Sequence, residues 1–195
     1  MVSKKKKVIN FLDSYQADTS VVPEIINHLI NSLKELDYHV DEIDEIVLSM
    51  DEAITNAVQE TIRKQECLPR SDYEKRRAIT IRYMIDDEGF DATIIDHGKG
   101  LNVNSLKGLI PDSKSKDYHS QIIRYASDAE RKKLKVRLNG KEITLKGIGA
   151  GLKIILAFMD SVTIDLIDKE KVLSTSVTDF TDGTILNLKR TRRYH

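Results

Sequence analysis

The sequence predicts an α+β two-layer sandwich, in which helices cover one face of a mostly antiparallel sheet. The first observation is the order of periodic segments: a strand, two helices, two strands, a long irregular stretch, a helix and three strands. The second is size and composition, since 195 residues with 40% hydrophobic and 32% charged side chains suit one globular domain with a sizeable core. Net charge bears on partners and not on the fold: 31 basic residues balance 31 acidic residues, so the chain has no general attraction to nucleic acid or anionic membranes.

The N-terminal part of the chain predicts one strand followed by two helices. Residues 8–15 favour a strand. Pro23 suits the first turn of a helix that Ser20 or a neighbour would cap, and apolar residues recur at helical spacing to about Leu36. A second helix is expected over about residues 41–64. Its apolar stripe consists of Ile43, Ile46, Val47, Met50, Ile54 and Val58.

A β-hairpin is expected in the middle of the chain. Residues 78–85 and 90–95 are apolar strands, and the Asp-Asp-Glu-Gly sequence between them is a turn signal. A polar segment at residues 65–77 is expected to be a loop. The second strand of the hairpin would present Asp96 at its end.

The connection that follows is unusually long for a compact domain. We expect one long, irregular insertion over about residues 101–146, within a single domain that covers residues 1–195. Residues 120–133 favour a helix, and Asn139-Gly140 favours a tight hairpin turn. Because long connections are usually functional or mobile, this insertion is interpreted as a lid.

The C-terminal part predicts a helix and the rest of the sheet. An apolar helix over residues 152–158 follows a glycine run, and a basic tail at residues 189–193 is expected to fray. The last two strands are expected to join around Asp182-Gly183. The three expected strands are residues 162–167, 172–180 and 184–188.

The chain carries signals of a cytoplasmic protein. Its single cysteine, Cys67, excludes an internal disulfide and suits a reducing compartment. The N-terminal lysines precede no long apolar region, so they do not form a signal peptide, and no run approaches the roughly 20 apolar residues of a membrane span. We therefore expect a cytoplasmic protein with neither nucleic acid nor membrane as a direct partner.

The first motif is Asp51-Glu52-Ala53-Ile54-Thr55-Asn56-Ala57 in the second helix. Glu52 and Asn56 are four residues apart and therefore share one face, beside the apolar stripe. An amide oxygen suits magnesium, which prefers oxygen ligands together with waters and phosphates. A carboxylate one turn away is placed to accept a proton, although a lone surface glutamate is the more common explanation.

Two glycine motifs follow in order. Asp96 precedes Gly98 and Gly100, so the backbone can approach a flat ligand beside a carboxylate that accepts a hydrogen bond. Gly147, Gly149 and Gly151 open a helix, where free N–H groups and the helix dipole favour phosphate. Each motif alone is a weak signal. The P-loop, the Rossmann fingerprint and the protein-kinase signature set are absent from the sequence.

Together, the three segments resemble the N box and the two glycine boxes of the GHKL (Bergerat) ATP-binding fold, shared by histidine kinases, gyrase B and MutL. Asp51–Ala57 is similar to the N box of the RsbW/SpoIIAB anti-sigma factors, which are serine-protein kinases. Residues 94–101 resemble their first glycine box and residues 149–162 their second. Gly183-Thr184 resembles the closing Gly-Thr pair of that family.

The resemblance implies a role for each matching residue. Asn56 would hold Mg²⁺, and Glu52 would be the general base. Asp96 would read the adenine amino group of ATP with help from Thr184. Lys146 is the nearest cation to the place before the second box where the family often has an arginine. The residues that would shape the pocket and the phosphate contacts are Gly98, Gly100, Gly149, Gly151 and Leu152.

The family also implies an activity and partners. Its members transfer the γ-phosphoryl group of ATP to a serine of a small anti-anti-sigma (STAS-type) protein, bind a sigma factor and usually form homodimers. The alternative is a non-enzymatic module in which ATP gates partner binding through the lid. A histidine-kinase catalytic domain ranks lower because no phosphoacceptor-histidine helix precedes the domain, and a gyrase- or MutL-type ATPase ranks lower because no transducer domain follows.

Overall fold

The architecture was analysed in a computed structural model of the chain. It describes residues 7–66, 78–98, 136–138, 141–143, 150–170, 173–174 and 181–194.

The elements follow one another in the predicted order. The helices are α1 (Val21–Glu35), α2 (Val40–Glu66) and α3 (Ala150–Phe158). The strands are β1 (Ile9–Gln16), β2 (Ala78–Ile85), β3 (Gly89–Asp96), β4 (Val136–Leu138), β5 (Lys141–Ile143), β6 (Ser161–Asp168), β7 (Leu173–Ser174) and β8 (Thr181–Thr191). The expected helix at residues 120–133 and most of the loop at residues 65–77 lie outside the described residues.

All the described strands belong to one sheet, in the order β1-β2-β3-β8-β6-β4-β5, with β7 paired to β6. Every described pairing is antiparallel except that of β4 with β6. The last strand of the chain, β8, therefore lies in the middle of the sheet, between β3 and β6. The predicted α+β class with a mostly antiparallel sheet is confirmed.

The core lies between the sheet and the helices, and α1, α2 and α3 all contribute buried residues. Alternate residues of β3 are buried from Phe90 to Asp96, which is the pattern of a strand with one covered face. On α2, the predicted stripe is confirmed: Ile46, Met50, Ile54 and Val58 are completely buried. Because α2 packs on β3 and also on α3, it connects the middle of the sheet to the glycine-led helix.

Helix α1 begins where the sequence predicts, but without the expected side-chain cap. Ser20 occupies the N-cap position in helical backbone geometry and makes no capping hydrogen bond. The carboxylate of Asp18 instead accepts the Ser20 N–H at 2.8 Å, and the Asp18 carbonyl accepts the Val21 N–H at 3.2 Å. The turn before the helix thus satisfies the N–H groups of the N-cap residue and of the first helical residue.

Part of the predicted insertion belongs to the sheet. The hairpin expected around Asn139-Gly140 has its two strands, β4 and β5, paired antiparallel from Val136↔Ile143 to Leu138↔Lys141. Strand β4 also pairs in parallel with β6, which the sequence did not predict. The remainder of residues 101–146, and with it the lid, lies outside the described residues.

The predicted turn at Asp182-Gly183 is wrong, because both residues lie inside β8. Gly183 is needed for a close approach rather than for a turn. A Cβ atom on Gly183 would overlap the carbonyl oxygen of Asp96 in the neighbouring strand and lie 3.4 Å from the Cα atom of His97. Glycine therefore allows β8 to approach the end of β3.

The predicted fraying of the basic tail is also wrong. Strand β8 continues to Thr191, and Arg190 is only 2% exposed. Arg190 donates hydrogen bonds to the Phe158 carbonyl at 2.8 Å and to the Glu45 carboxylate. Glu42, which is fully buried, accepts the backbone N–H of Arg193 at 2.7 Å. Acidic side chains at the start of α2 thus hold the basic tail.

No helix in the described part of the chain combines the length and the apolar character that crossing a membrane requires.

Candidate functional site

The site is organised by one row of polar side chains along α2. Glu52, Asn56, Glu60 and Lys64 follow one another at intervals of four residues, so they lie on the same side of the helix. The row extends about 18 Å at 1.5 Å per residue. Glu52 and Asn56 lie against the start of α3. Glu60 and Lys64 lie against the chain at the end of β3, and Lys64 also contacts the start of β8. One helix thereby contacts both of the predicted glycine boxes.

Glu52 and Asn56 lie directly against Gly151. A Cβ atom on Gly151 would overlap Oε2 of Glu52 and lie 3.3 Å from Nδ2 of Asn56. Glycine therefore allows the start of α3 to approach the N-box face of α2 while the Glu52 carboxylate stays in this position. The structure brings together three residues that the sequence predicted for one site. Leu152, the next residue of α3, is partly buried against the core.

The environment of Glu52 favours the protonated form of its carboxyl group. Burial raises its pKa above the ordinary value, and the neighbouring carboxylate of Asp51 raises it further. A carboxylate with a raised pKa is a better proton acceptor while it is ionised. Asn56, in contrast, is exposed, which leaves it accessible to a metal ion or a ligand.

Asp96 and Thr184 are directly opposite each other in the sheet. They are Cα partners in the β3–β8 register, and both are largely buried, with 9% and 8% exposure. The Thr184 side chain hydrogen-bonds to the Asp96 carboxylate, and the Gly98 N–H donates to its Oδ1 at 2.7 Å. The predicted pairing of Asp96 with Thr184 is therefore present in the fold.

Burial is the dominant influence on the Asp96 carboxyl group. It raises the pKa of Asp96 to about 6, although the hydrogen bonds from Gly98 and Thr184 lower it. The carboxylate of Glu60 raises the same pKa, and the ammonium group of Lys64 lowers it. A buried, hydrogen-bonded carboxylate of this kind can accept a further hydrogen bond from a ligand in a site with little water.

Gly98 brings the first glycine box against α2. A Cβ atom on Gly98 would lie 2.7 Å from the Cβ atom of Glu60 and 2.9 Å from Oδ1 of Asp96. The preceding residue is also attached to α2, since the His97 N–H donates to the hydroxyl oxygen of buried Thr61 at 3.3 Å. The chain leaving β3 is thus packed closely on the second half of the polar row.

Lys64 is a site residue that the sequence analysis missed. Its ammonium group donates to the Gly98 carbonyl at 3.1 Å and to the Asp182 carboxylate at 2.7 Å. The signal that could have identified it is the four-residue spacing from Asn56 through Glu60. That spacing alone does not reveal the partners, which are 34 and 118 residues away in sequence.

The structure therefore brings together two groups of predicted residues along α2. Glu52, Asn56 and Gly151 form one group, and Asp96, Gly98 and Thr184 form the other. Gly100, Lys146 and Gly149, which were also predicted, lie outside the described residues. Within the described part of the chain, no cluster of three or more His, Cys, Asp or Glu side chains is arranged to hold a metal ion.

Comparisons with known proteins identify similar folds and the family of the chain. A chain in the crystal structure of the SiaB–SiaC complex from Pseudomonas aeruginosa has a similar fold, with a TM-score of 0.54. The two chains share 12% sequence identity over 92% of this chain and 89% of that chain. No curated protein sequence matches the chain. The sequence model of the histidine kinase-like ATPase domain matches residues 15–177. Because that match covers most of the chain, the protein belongs to the histidine kinase-like ATPase domain family.

Proposed function

We propose that the protein is an ATP-dependent serine-protein kinase that regulates a protein partner. The observation that carries the proposal is the polar row of α2, which places a half-buried carboxylate against the glycine-led start of α3 and also reaches the buried Asp96–Thr184 pair. Membership in a family of ATPase domains implies that ATP is the nucleotide. One end of the polar row would then receive the adenine base of ATP, and the other end would receive its phosphates.

The adenine-binding end would be formed by Asp96, Thr184 and Gly98. Adenine carries an exocyclic amino group that donates hydrogen bonds, and the Asp96 carboxylate is an acceptor held in place by the Thr184 hydroxyl and the Gly98 N–H. Hydrogen bonds to an ionised acceptor are about twice as strong as neutral ones. Asp96 would therefore both bind ATP and select adenine.

The phosphate end would be formed by α3 and by Asn56. The start of α3 provides backbone N–H groups and the positive end of a helix dipole, which favour phosphate. Because Gly151 has no Cβ atom, the Glu52 carboxylate and the Asn56 amide lie directly against the start of α3. The donor set fits a magnesium ion held by the amide oxygen of Asn56 together with ATP phosphates. That ion would neutralise the negative charge of the phosphates.

Glu52 would act as the general base. It would accept the proton of the partner's serine hydroxyl as the serine oxygen bonds to the γ-phosphorus. The bond between that phosphorus and the β,γ-bridging oxygen would break, and ADP would leave with the electron pair. Burial and Asp51 raise the pKa of Glu52, which brings the group closer to the range useful for proton transfer.

A protein partner is part of the proposal. The similar structure from Pseudomonas aeruginosa is a complex of two proteins, which supports a role in protein–protein regulation. From the resemblance to the RsbW/SpoIIAB kinases, we propose an anti-anti-sigma (STAS-type) protein as the phosphate acceptor and a sigma factor as a second partner. The same resemblance supports a homodimer, and the single cysteine, Cys67, suits work in the reducing cytoplasm.

The test compares nucleotide binding with turnover in matched variants. Calorimetry measures Mg²⁺-dependent ATP binding, and ADP formation measures turnover with water or a partner serine as the acceptor. Asn56→Ala is expected to weaken Mg²⁺-dependent binding. Glu52→Gln is expected to keep the ATP affinity within about threefold and to reduce turnover by about 100-fold or more, because the general base is lost.

Two outcomes would contradict this proposal in different ways. Absence of ATP binding by the wild type would exclude a nucleotide-dependent function. Wild-type turnover in Glu52→Gln would exclude Glu52 as the base, and ATP binding without any turnover would favour the alternative, a non-enzymatic module that ATP gates for partner binding.

A further inference from the structure

Lys64 is the last residue of the polar row, at the end that lies against β3 and β8. Its ammonium group reaches between two neighbouring strands and donates to the carbonyl oxygens of Gly98 at 3.1 Å and Thr181 at 3.3 Å. It also donates to Oδ1 of Asp182 at 2.7 Å. One side chain of α2 thus contacts the chain that leaves β3 and the chain that enters β8.

These contacts are placed symmetrically around the Asp96–Thr184 pair. Gly98 lies two residues after Asp96, and Asp182 lies two residues before Thr184. Because Asp96 and Thr184 are partners across the β3–β8 register, a cation that joins Gly98 to Asp182 holds the two strand ends together at this point.

The contact between Lys64 and Asp182 is largely shielded from solvent. The exposed fractions of the two side chains are 12% and 16%. Exposed ion pairs contribute little because water screens them and the side chains lose entropy. A pair that is mostly buried, with further hydrogen bonds to backbone carbonyls, is screened less and is better ordered.

We propose that Lys64 is a positioning residue for recognition of the nucleotide base. By joining the end of β3 to the start of β8, it holds the Asp96 carboxylate and the Thr184 hydroxyl in the arrangement that receives the adenine amino group. The inference rests on the proposed function, since it assumes that Asp96 contacts the base.

The charges around Asp96 give this role a second, measurable consequence. The charged groups that face this carboxylate from α2 are Glu60, which raises its pKa, and Lys64, which lowers it. From β8, Asp182 is paired with Lys64. Loss of the Lys64 charge therefore raises the pKa of Asp96, so the ionised acceptor is lost at a higher pH.

The experiment measures affinities for two ligands by calorimetry: Mg²⁺-ATP and the Mg²⁺ complex of purine riboside triphosphate, which lacks the 6-amino group. The variants are Lys64→Met, which keeps the aliphatic stem, and Lys64→Arg, which keeps the charge. Lys34→Met, which changes an exposed lysine in the last turn of α1, is the matched control. Titrations at several pH values give the pH midpoint of the decrease in ATP affinity.

The wild type is expected to prefer ATP over the analogue by about tenfold, because the amino group would donate to an ionised acceptor. In Lys64→Met, this preference is expected to fall to about threefold or less, and the pH midpoint of ATP binding to rise. Lys64→Arg is expected to restore most of the preference, and Lys34→Met to leave both readouts unchanged. A residue that only stabilised the fold would shift the unfolding temperature without changing the preference or the midpoint.

Retention of the wild-type preference and midpoint in folded Lys64→Met would overturn the inference. If Lys64→Met does not fold, Asp182→Asn decides the question, because it removes the ionic partner of Lys64 and keeps the size of the side chain. An unchanged preference in that variant would likewise overturn the inference. A wild type that binds no ATP would instead refute the proposed function, and a wild type that binds ATP without preferring it would refute the base contact of Asp96.

Discussion

At Asp96, burial and ligand recognition act in opposite directions. The folded-state pKa of about 6 is higher than the ordinary value of 3.8, so the folded protein retains a proton that the unfolded chain releases. Protonation of Asp96 therefore adds to the free energy of unfolding at low pH, and this contribution is lost as the pH rises from about 4 through about 6. Asp96 is therefore a position where the proposed function works against stability.

Replacement of Asp96 by asparagine separates these two effects. Asp96→Asn is expected to stabilise the protein at pH 7 by about 1–3 kcal/mol, because the amide keeps an acceptor for Gly98 and carries no charge. The gain is expected to disappear toward pH 4, where the wild-type carboxyl group is protonated. ATP affinity is expected to fall about tenfold at neutral pH. Chemical unfolding across this pH range and ATP calorimetry provide the measurements.

A stability change of the same size at every pH would contradict this explanation, because it would show that the buried charge of Asp96 is not responsible. Thr93→Val is a useful control. Thr93 lies on the same strand and hydrogen-bonds to Asn187 at 2.9 Å, away from the acid.

The residues that we propose to contact ATP or the partner serine were largely predictable from the sequence, whereas the residue that we propose to position them, Lys64, was not. Glu52 and Asn56 share a helix face because of their spacing, and Asp96 and Gly98 are only two residues apart. Lys64 makes its contacts with residues in other segments, up to 118 positions away. No local pattern contains that information.

At the scale of elements, α2 and two glycines determine how the parts of the site approach one another. Gly151 allows α3 to approach Glu52 and Asn56, and Gly183 allows β8 to approach Asp96. The two contacts differ in what a new methyl group would meet. At Gly151 it meets the end of a flexible side chain, and at Gly183 it meets the backbone of the neighbouring strand.

The two alanine variants should therefore behave differently. Gly183→Ala is expected to lower the free energy of unfolding by about 1–3 kcal/mol, since the backbone of β3 cannot move away without disturbing the sheet. Gly151→Ala is expected to change stability by less than about 1 kcal/mol, because Glu52 can rotate, and to reduce ADP formation by displacing the proposed base. Thermal unfolding and the turnover assay measure the two effects, and equal losses of stability would contradict the prediction.

At the scale of the whole molecule, the C-terminal strand joins regions that are distant in sequence. Strand β8 lies between β3 and β6, and Arg190 connects it to Glu42 and Glu45 at the start of α2. Farther along the tail, the Arg192 guanidinium lies 4.5 Å from the ring centroid of Tyr38. The tail therefore anchors the helix on which the candidate site is built.

Removal of the buried cation tests this anchor. Arg190→Met is expected to destabilise the protein by about 3–5 kcal/mol, because fully buried Glu42 would lose its compensating charge. Glu42→Gln in the same chain should restore part of the loss. Arg193→Met is the control, since Arg193 is 41% exposed and is expected to contribute at most about 1 kcal/mol. Urea unfolding measures all three, and equal effects of Arg190 and Arg193 would contradict the role of burial.

The sequence by itself determined the order and type of the elements, the α+β class, the helical stripe of α2 and the polar pair at Glu52 and Asn56. These features follow from periodicity and spacing within short segments, and such local patterns do not depend on tertiary contacts. Only the tertiary structure decided that β8 lies between β3 and β6, that Gly183 is inside a strand, and that Lys64 and Arg190 are held by acids. The β3–β8 pairing joins residues 88 to 102 positions apart, and the ion pairs of Lys64 and Arg190 join residues 118 and 145 positions apart. These contacts therefore depend on how whole elements pack and not on local sequence.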